Sequence, residues 1–211
     1  MTISVRPTGE FVRQALKEQS VWDLGNQTLY ELCRKHPDHR SVDTIVAKVW
    51  LIGRSYASAI ERRRVNREVT GDDFYVGVVA PAIRASKIDH WFAELRPLRR
   101  PAPHVVVAVH KRLTDLFRQI SGQDKRSLAS KYLHFHVPKA VYIYDERASR
   151  AIRQVTSPLR SRARGLTEYD DEYAQFYLRC EVLRAQLEQV IGRAMTPREV
   201  DKVLLAVADR G

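Results

Sequence analysis

Apolar residues recur every three or four positions along most of this sequence, and this spacing restricts the chain to α-helices more than any other feature does. The longest stripe consists of Tyr173, Phe176, Cys180, Leu183, Leu187 and Val190. Another consists of Ile45, Val49, Ile52, Tyr56 and Ile60. Strand-like chemistry is confined to residues 105–107 and 141–144, and the first of these runs also keeps helical spacing. The sequence therefore predicts an all-α fold with little or no sheet.

Caps and prolines divide the periodic pattern into about eight to ten helices. Ser41 predicts the start of a helix that continues to the arginines at residues 62–67. Pro81 predicts a kink or a break in the helical segment that contains it. Thr167 is the predicted start of the longest helix, and residues 196–199 form a capping box that opens the last one.

The length of 211 residues favours a single domain over residues 1–211. Within it, residues 1–100 are expected to form N-terminal helices. Residues 104–155 are expected to form a helical hairpin and the helix that follows it. Residues 167–211 supply the C-terminal helices.

Composition narrows the class of protein. Hydrophobic residues make up 44% of the chain and charged residues 29%, which excludes a disordered chain. No apolar run has the roughly 20 residues that a membrane-spanning helix needs, so a membrane partner is not expected. The two cysteines, Cys33 and Cys180, form no paired motif, which favours a cytoplasmic setting and excludes a Cys-based metal cluster. Common nucleotide, protease and esterase motifs are missing, and no cofactor is predicted.

The basic residues predict a polyanionic partner. Lys and Arg outnumber Asp and Glu by 36 to 25, giving a formal charge of +11, and the arginines occur in clusters. Nucleic acid is the usual partner of such a chain, and duplex DNA is the favoured one here, with no indication of oligomeric state. The alternative is a solvated basic face. The predicted phosphate contacts are Arg62, Arg63, Arg64, Arg126, Arg160, Arg162 and Arg164.

The run His134-Phe135-His136 contains two imidazoles, which are common metal ligands, and so suggests a metal site. Residues two positions apart do not share a helix face, so two imidazoles on one helix would not meet the same ion. The sequence therefore predicts one buried and one surface histidine, and no metal site.

The segment from Asp124 to Arg153 carries the most information about function. It has the pattern helix, turn, helix, proline and short extended stretch, with Asp145 where an N-cap belongs. The residues that define it are Ser130-Lys131-Tyr132-Leu133-His134-Phe135, Pro138 and Tyr142-Ile143-Tyr144-Asp145. This segment resembles bacterial proteins related to the helix–hairpin–helix DNA glycosylases, whose fold is similar to that of 8-oxoguanine DNA glycosylase. At the turn, only Gly122 is present where those proteins usually have Gly-x-Gly.

The resemblance implies a protein that excises or senses a modified base in DNA. Asp145 matches the essential Asp of that superfamily. In the bifunctional members a lysine precedes the essential Asp, and Lys125 precedes Asp145 by approximately the same number of residues. Lys131 lies one to two helical turns further on. These three residues are the candidate catalytic groups. A carboxylate near the sugar would stabilise the positive charge that develops there, and a lysine amine would attack C1′.

A second class of function uses the same scaffold without chemistry. In that reading the chain is a nucleic-acid-binding helical protein, such as a regulator or a component of a defence system. Asp145 is then a structural N-cap, and both lysines are solvated helix residues. An enzyme would instead place a lysine within reach of Asp145 beside a concave site.

Overall fold

A computed structural model describes residues 7–65, 67–157 and 169–210, and these residues form helices with no strand among them. The helices are α1 Gly9–Lys17, α2 Asp23–Lys35, α3 Val42–Ser55, α4 Gly71–Phe74, α5 Ala80–Ala85, α6 Ile88–Leu95, α7 Pro103–Ser121, α8 Arg126–His136, α9 Glu146–Val155, α10 Asp171–Ile191 and α11 Pro197–Ala208. A π-helical turn, Tyr75–Val79, lies between α4 and α5. The predicted all-α fold is confirmed.

Helix α8 is the most enclosed element of the fold. Eight of its 11 residues are buried, and it packs against α2, α3 and α7. The adjoining helices α9 and α11 pack against each other, and α10 contacts α7, α9 and α11. Because apolar neighbours surround α8, any polar side chain on this helix needs partners from inside the protein.

The turn between α7 and α8 is fixed by a close backbone approach. Gly122 adopts a left-handed φ of 71° as the C-cap of α7. A Cβ atom at this position would lie 2.6 Å from Cγ2 of Val65, so only glycine fits. The Val65 N–H donates to the Ser121 carbonyl at 3.0 Å. The loop after α3 is therefore held against the hairpin turn.

The predicted extension of α3 into the arginine cluster is wrong, because α3 ends at Ser55. Ala57 adopts a φ of 49°, which interrupts the helix. The Ser58 N–H then donates to the Gly53 carbonyl at 2.8 Å. A Cβ on Gly53 would lie 3.0 Å from the Ala59 Cα, so the glycine permits the chain to fold back on α3.

Two other boundaries differ from their sequence predictions. Pro81 does not break its segment, since α5 continues past it to Ala85. Pro81 has no backbone N–H to donate, and the π-helical turn before it accommodates this missing donor. The longest helix, α10, has 21 residues and begins at Asp171, with Asp170 as a side-chain cap. Its predicted start, Thr167, lies outside the described residues. The capping box of Thr196 and Glu199 forms as predicted.

Of the two histidines, His134 is buried as predicted, but the prediction of a surface histidine is wrong, because His136 is largely enclosed by the protein as well. The Nδ1 of His134 lies 2.6 Å from the Val141 carbonyl and its Nε2 lies 2.5 Å from the Tyr30 hydroxyl. Since a carbonyl only accepts, Nδ1 carries the proton and Nε2 accepts from Tyr30. Burial lowers the pKa of His134 to about 4. No group of side chains suited to hold a metal ion occurs in the described part of the chain.

We predict that His134 makes the fold acid-sensitive. With a pKa of about 4 in the folded state and about 6.5 unfolded, its contribution to stability is present above pH 6.5 and is lost as the pH falls towards 4. Between pH 7 and pH 5 the native protein should lose about 2 kcal/mol more unfolding free energy than His134→Gln does. Urea unfolding of both proteins at the two pH values measures this difference, and parallel pH profiles would contradict the prediction.

Candidate functional site

Asp145 is the N-cap of α9, as the sequence predicts. Its Oδ1 accepts from the Ala148 N–H at 2.9 Å, and its backbone is extended, with φ −152° and ψ 177°. The side chain is 29% exposed. One carboxylate oxygen thus caps the helix, while Oδ2 is directed towards α8.

Lys131 is the residue that meets this carboxylate. Its Nζ lies 3.9 Å from Oδ2 of Asp145, although the lysine side chain is only 2% exposed. Nζ also donates to Ser127 Oγ at 2.6 Å and to the Tyr144 carbonyl at 3.3 Å. It lies 5.6 Å from the centroid of the Tyr56 ring. The ammonium therefore has polar partners on its own helix and on the extended segment that leads into α9.

Burial lowers the pKa of Lys131, and the negative charges of Asp145 and Asp201 oppose that shift. Desolvation disfavours the charged form of an amine, whereas a nearby carboxylate favours it. The net direction brings the neutral, nucleophilic amine closer to physiological pH than an exposed lysine would be.

Asp201 is a third member of this cluster, and sequence reasoning missed it. It lies on α11, is 5% exposed and accepts from Arg198 Nη1 at 2.5 Å. Burial raises its pKa to about 6, Arg198 lowers it, and Asp145 raises it further. The signal in the sequence was its position between Val200 and Val203, on the buried stripe of α11. We call Lys131, Asp145 and Asp201 the Lys131 cluster.

Aromatic and amide side chains adjoin the cluster. The Tyr56 hydroxyl donates to Asn26 Oδ1 at 2.6 Å, and burial raises the pKa of Tyr56 to about 12. Asn26 itself is 8% exposed. These groups are neutral at physiological pH, so the charges of this region come from the Lys131 cluster and from Arg198.

Lys125 lies elsewhere. It is the N-cap residue of α8, and its Nζ donates to the Arg62 carbonyl. Burial lowers the pKa of Lys125, as do the neighbouring cations of Arg62 and Arg63, while Glu61 opposes the shift. The structure therefore brings Lys131, and not Lys125, to Asp145.

The predicted phosphate-binding arginines have different environments. Arg62 and Arg63 are exposed beside the hairpin turn, and with Lys125 they form what we call the hairpin patch. Arg64 is 8% exposed and its guanidinium lies 4.0 Å from the centroid of the Phe74 ring. Arg126 pairs with Asp170 at 2.9 Å and with Glu172 at 2.7 Å. Arg160, Arg162 and Arg164 lie outside the described residues.

A cavity of about 300 Å³ opens between α11 and the segment that joins α1 to α2, and no member of the Lys131 cluster lines it. Arg147, in the first turn of α9, and Arg198, the partner of Asp201, both line it. Lys202 adds a third cation. Trp22, at the rim, is 72% exposed. Two carboxylates, Glu18 and Asp209, also line it, and each of the three cations is paired with a carboxylate. The concavity thus combines mixed charge with an exposed aromatic ring on which a flat group can stack.

Comparison with known proteins returned no match, since no protein-family model, no curated protein and no solved structure is significantly similar to this chain. Among the described residues, no helix has both the length and the apolar character needed to cross a membrane.

We predict that Lys131 is retained at a cost to stability. In Lys131→Met, the partly exposed Asp145 is solvated and Asp201 keeps Arg198, so the unfolding free energy at pH 7 should equal or exceed that of the native protein by up to about 1 kcal/mol. Because the pKa of Lys131 is lowered in the folded state, the native protein becomes more stable as the pH approaches 10.5. The difference in unfolding free energy between Lys131→Met and the native protein should therefore narrow. Urea unfolding at pH 7 and pH 9.5 measures it. A large loss of stability in the variant would assign Lys131 a structural role.

Proposed function

We propose that this protein binds DNA and acts on the N-glycosidic bond of a nucleotide, with Lys131 as nucleophile and Asp145 as its charged partner. The observation that carries the proposal is the placement of a buried amine 3.9 Å from the carboxylate that caps α9. An amine with a lowered pKa beside a carboxylate suits attack at a sugar carbon. The resemblance of residues 124–153 to the helix–hairpin–helix glycosylases supports the same function.

The chemistry uses both partners. Neutral Lys131 forms a bond from Nζ to C1′ while the bond from C1′ to the base breaks. The departing base keeps the bonding electron pair and takes a proton from water, and the attached amine gives a proton to Asp145. Before it accepts that proton, the anionic Asp145 stabilises the positive charge that develops on the sugar, since its Oδ2 lies 3.9 Å from the attacking Nζ.

The basic surface supports DNA as the substrate. The hairpin patch lies at the N-terminal end of α8, and Lys131 follows Lys125 by about 9 Å along the helix. A phosphate backbone held at the patch would lie within a few nucleotides of the Lys131 cluster. Because C1′ is not accessible inside a duplex, the target nucleotide must leave the stack. The cavity beside α11, with Trp22 at its rim, offers space for a displaced base.

The second candidate function is DNA binding without chemistry. The observation that favours it is that the polar groups of Lys131 and Asp145 already have hydrogen-bond partners within the protein. Asp145 accepts from Ala148, and Lys131 donates to Ser127 and Tyr144. In this case the Lys131 cluster is a buried polar network that fixes the packing of α8 against α9 and α11. Both functions require the hairpin patch, and only the first requires a reactive amine.

Covalent trapping distinguishes the two functions. A duplex with an abasic site offers an aldehyde at C1′, so an active Lys131 forms an imine there, with loss of water, whatever base the protein recognises. Borohydride should then reduce the imine to a stable protein–DNA adduct, seen as a band of reduced mobility. Lys131→Met should abolish the adduct. Lys125→Met removes one cation of the hairpin patch but not the nucleophile, so with saturating duplex it should retain the adduct and serves as the matched control.

The opposite pattern would overturn the assignment. If the adduct persists in Lys131→Met, another lysine carries the reaction. If the folded native protein gives no adduct while it binds the duplex, the binding function replaces the enzymatic one.

A salt titration tests the hairpin patch. Each phosphate contact contributes about −0.9 to the slope of log affinity against log salt for a duplex. Arg62→Gln/Arg63→Gln should therefore reduce the steepness of the slope by up to about 1.8, with a similar loss for every sequence tested. Arg13→Gln/Lys17→Gln removes the same charge from exposed positions on α1 and should leave the slope nearly unchanged. Equal effects of the two double variants would mean that only net charge matters.

A further inference from the structure

A second, larger cavity lies at the opposite end of the α7–α8 hairpin from the hairpin patch. Its volume is about 560 Å³, and it is formed by the C-terminal ends of α2 and α8 and by the start of α11. Helix α8 has 11 residues, so about 16 Å separate its two ends. The cavity shares only Arg198 with the cavity between α11 and the α1–α2 segment. It is large enough for a small organic ligand.

The walls of this cavity are apolar, and its charged residues are all cations. Tyr30, Phe135, Pro37 and Pro138 supply flat apolar surface. The lining cations are Arg34, Arg96, Lys139 and Arg198, and no carboxylate lines the cavity among the described residues. Such a site favours a ligand with a flat ring and an anionic group.

Two of these cations have no partner among the residues that the structure describes. Arg34 and Lys139 are exposed and take part in none of its hydrogen bonds or ion pairs. By contrast, Arg198 pairs with Asp201, and Arg96 donates to the Pro37 carbonyl at 2.6 Å. The charges of Arg34 and Lys139 are therefore available to an anion from solution.

An adjoining cavity extends the basic character. It has a volume of about 280 Å³ and shares Lys139 and Thr196 with the first. Arg99 lines it and is exposed. Arg100 and Arg184 also line it, and both pair with Glu188. Lys139 thus lies between an apolar compartment and a basic one.

His136 adds a polar atom without a protein partner. Its Nδ1 lies 2.8 Å from the Tyr132 carbonyl, so Nδ1 carries the proton. Burial holds the pKa of His136 well below its usual value, so the ring is neutral. Nε2 is then a buried acceptor with no hydrogen-bond partner. Buried polar atoms are normally satisfied, and Nε2, which has no surface open to the cavity, is an exception in this wall.

We infer that this pair of cavities binds a free nucleoside monophosphate, independently of the Lys131 cluster. The ring occupies the apolar compartment, against the contacting rings of Tyr30 and Phe135 and beside Pro37 and Pro138. Arg34 and Lys139 bind the phosphate, with Arg99 in the adjoining compartment.

Calorimetric titration with 5′-AMP and 5′-dAMP tests the inference. The native protein should bind at least one of them, and Arg34→Gln/Lys139→Gln should weaken that binding by about tenfold or more, since two charge-assisted contacts are lost. Both side chains are exposed, so the variant should keep its helix content. The control Arg13→Gln/Lys17→Gln has the same net charge as Arg34→Gln/Lys139→Gln and should bind the nucleotide as tightly as the native protein does. Lys131→Met should also bind normally, which separates this site from the proposed reaction.

Three results would overturn the inference. The first is no heat of binding with either nucleotide at concentrations up to about 5 mM. The second is equal binding of inorganic phosphate, which would mean that the apolar compartment contributes nothing. The third is a single-stranded oligonucleotide that binds through Arg34 and Lys139 when mononucleotides do not, because the occupant is then a nucleic-acid strand.

Discussion

The placement of an ammonium group inside the most buried helix of the fold governs the arrangement around it. Lys131 is 2% exposed, and an unpaired charge at such a position costs several kcal/mol. Its partners come from two directions, with Ser127 on α8 itself and Tyr144 with Asp145 on the segment that enters α9. The extended stretch after α8 and the start of α9 are therefore positioned by a polar requirement as well as by apolar packing.

The same hairpin separates three chemically different regions. At its turn, Gly122 and Val65 hold the loop after α3 against α8, which places Arg62 and Arg63 beside Lys125. The middle of α8 carries the Lys131 cluster. Its C-terminal end opens into the apolar cavity with its cationic rim. A single helix thus sets the distances between a basic surface, a buried amine and an apolar cavity.

Local chemistry explains why so much of the secondary structure is predictable. The capping box at Thr196, the N-cap at Asp145 and the apolar stripe of α10 depend on residues only a few positions apart. The end of α3 was predicted wrongly because Gly53 and Ala59 meet only after the chain reverses. Likewise, Pro81 stays within a helical segment because the preceding π-helical turn compensates for its missing N–H.

The sequence by itself determined the helical class, the capping box that opens α11 and the position of Asp145 at the start of α9. The tertiary structure decided which lysine reaches Asp145. Six positions on one helix separate Lys125 from Lys131, yet they face different surroundings, since one lies against the arginine loop and the other inside the core. It also brought in Asp201 from the last helix. Caps and periodicity follow from short-range hydrogen bonds and spacing, whereas a site assembled from α8, α9 and α11 depends on packing between distant parts of the chain.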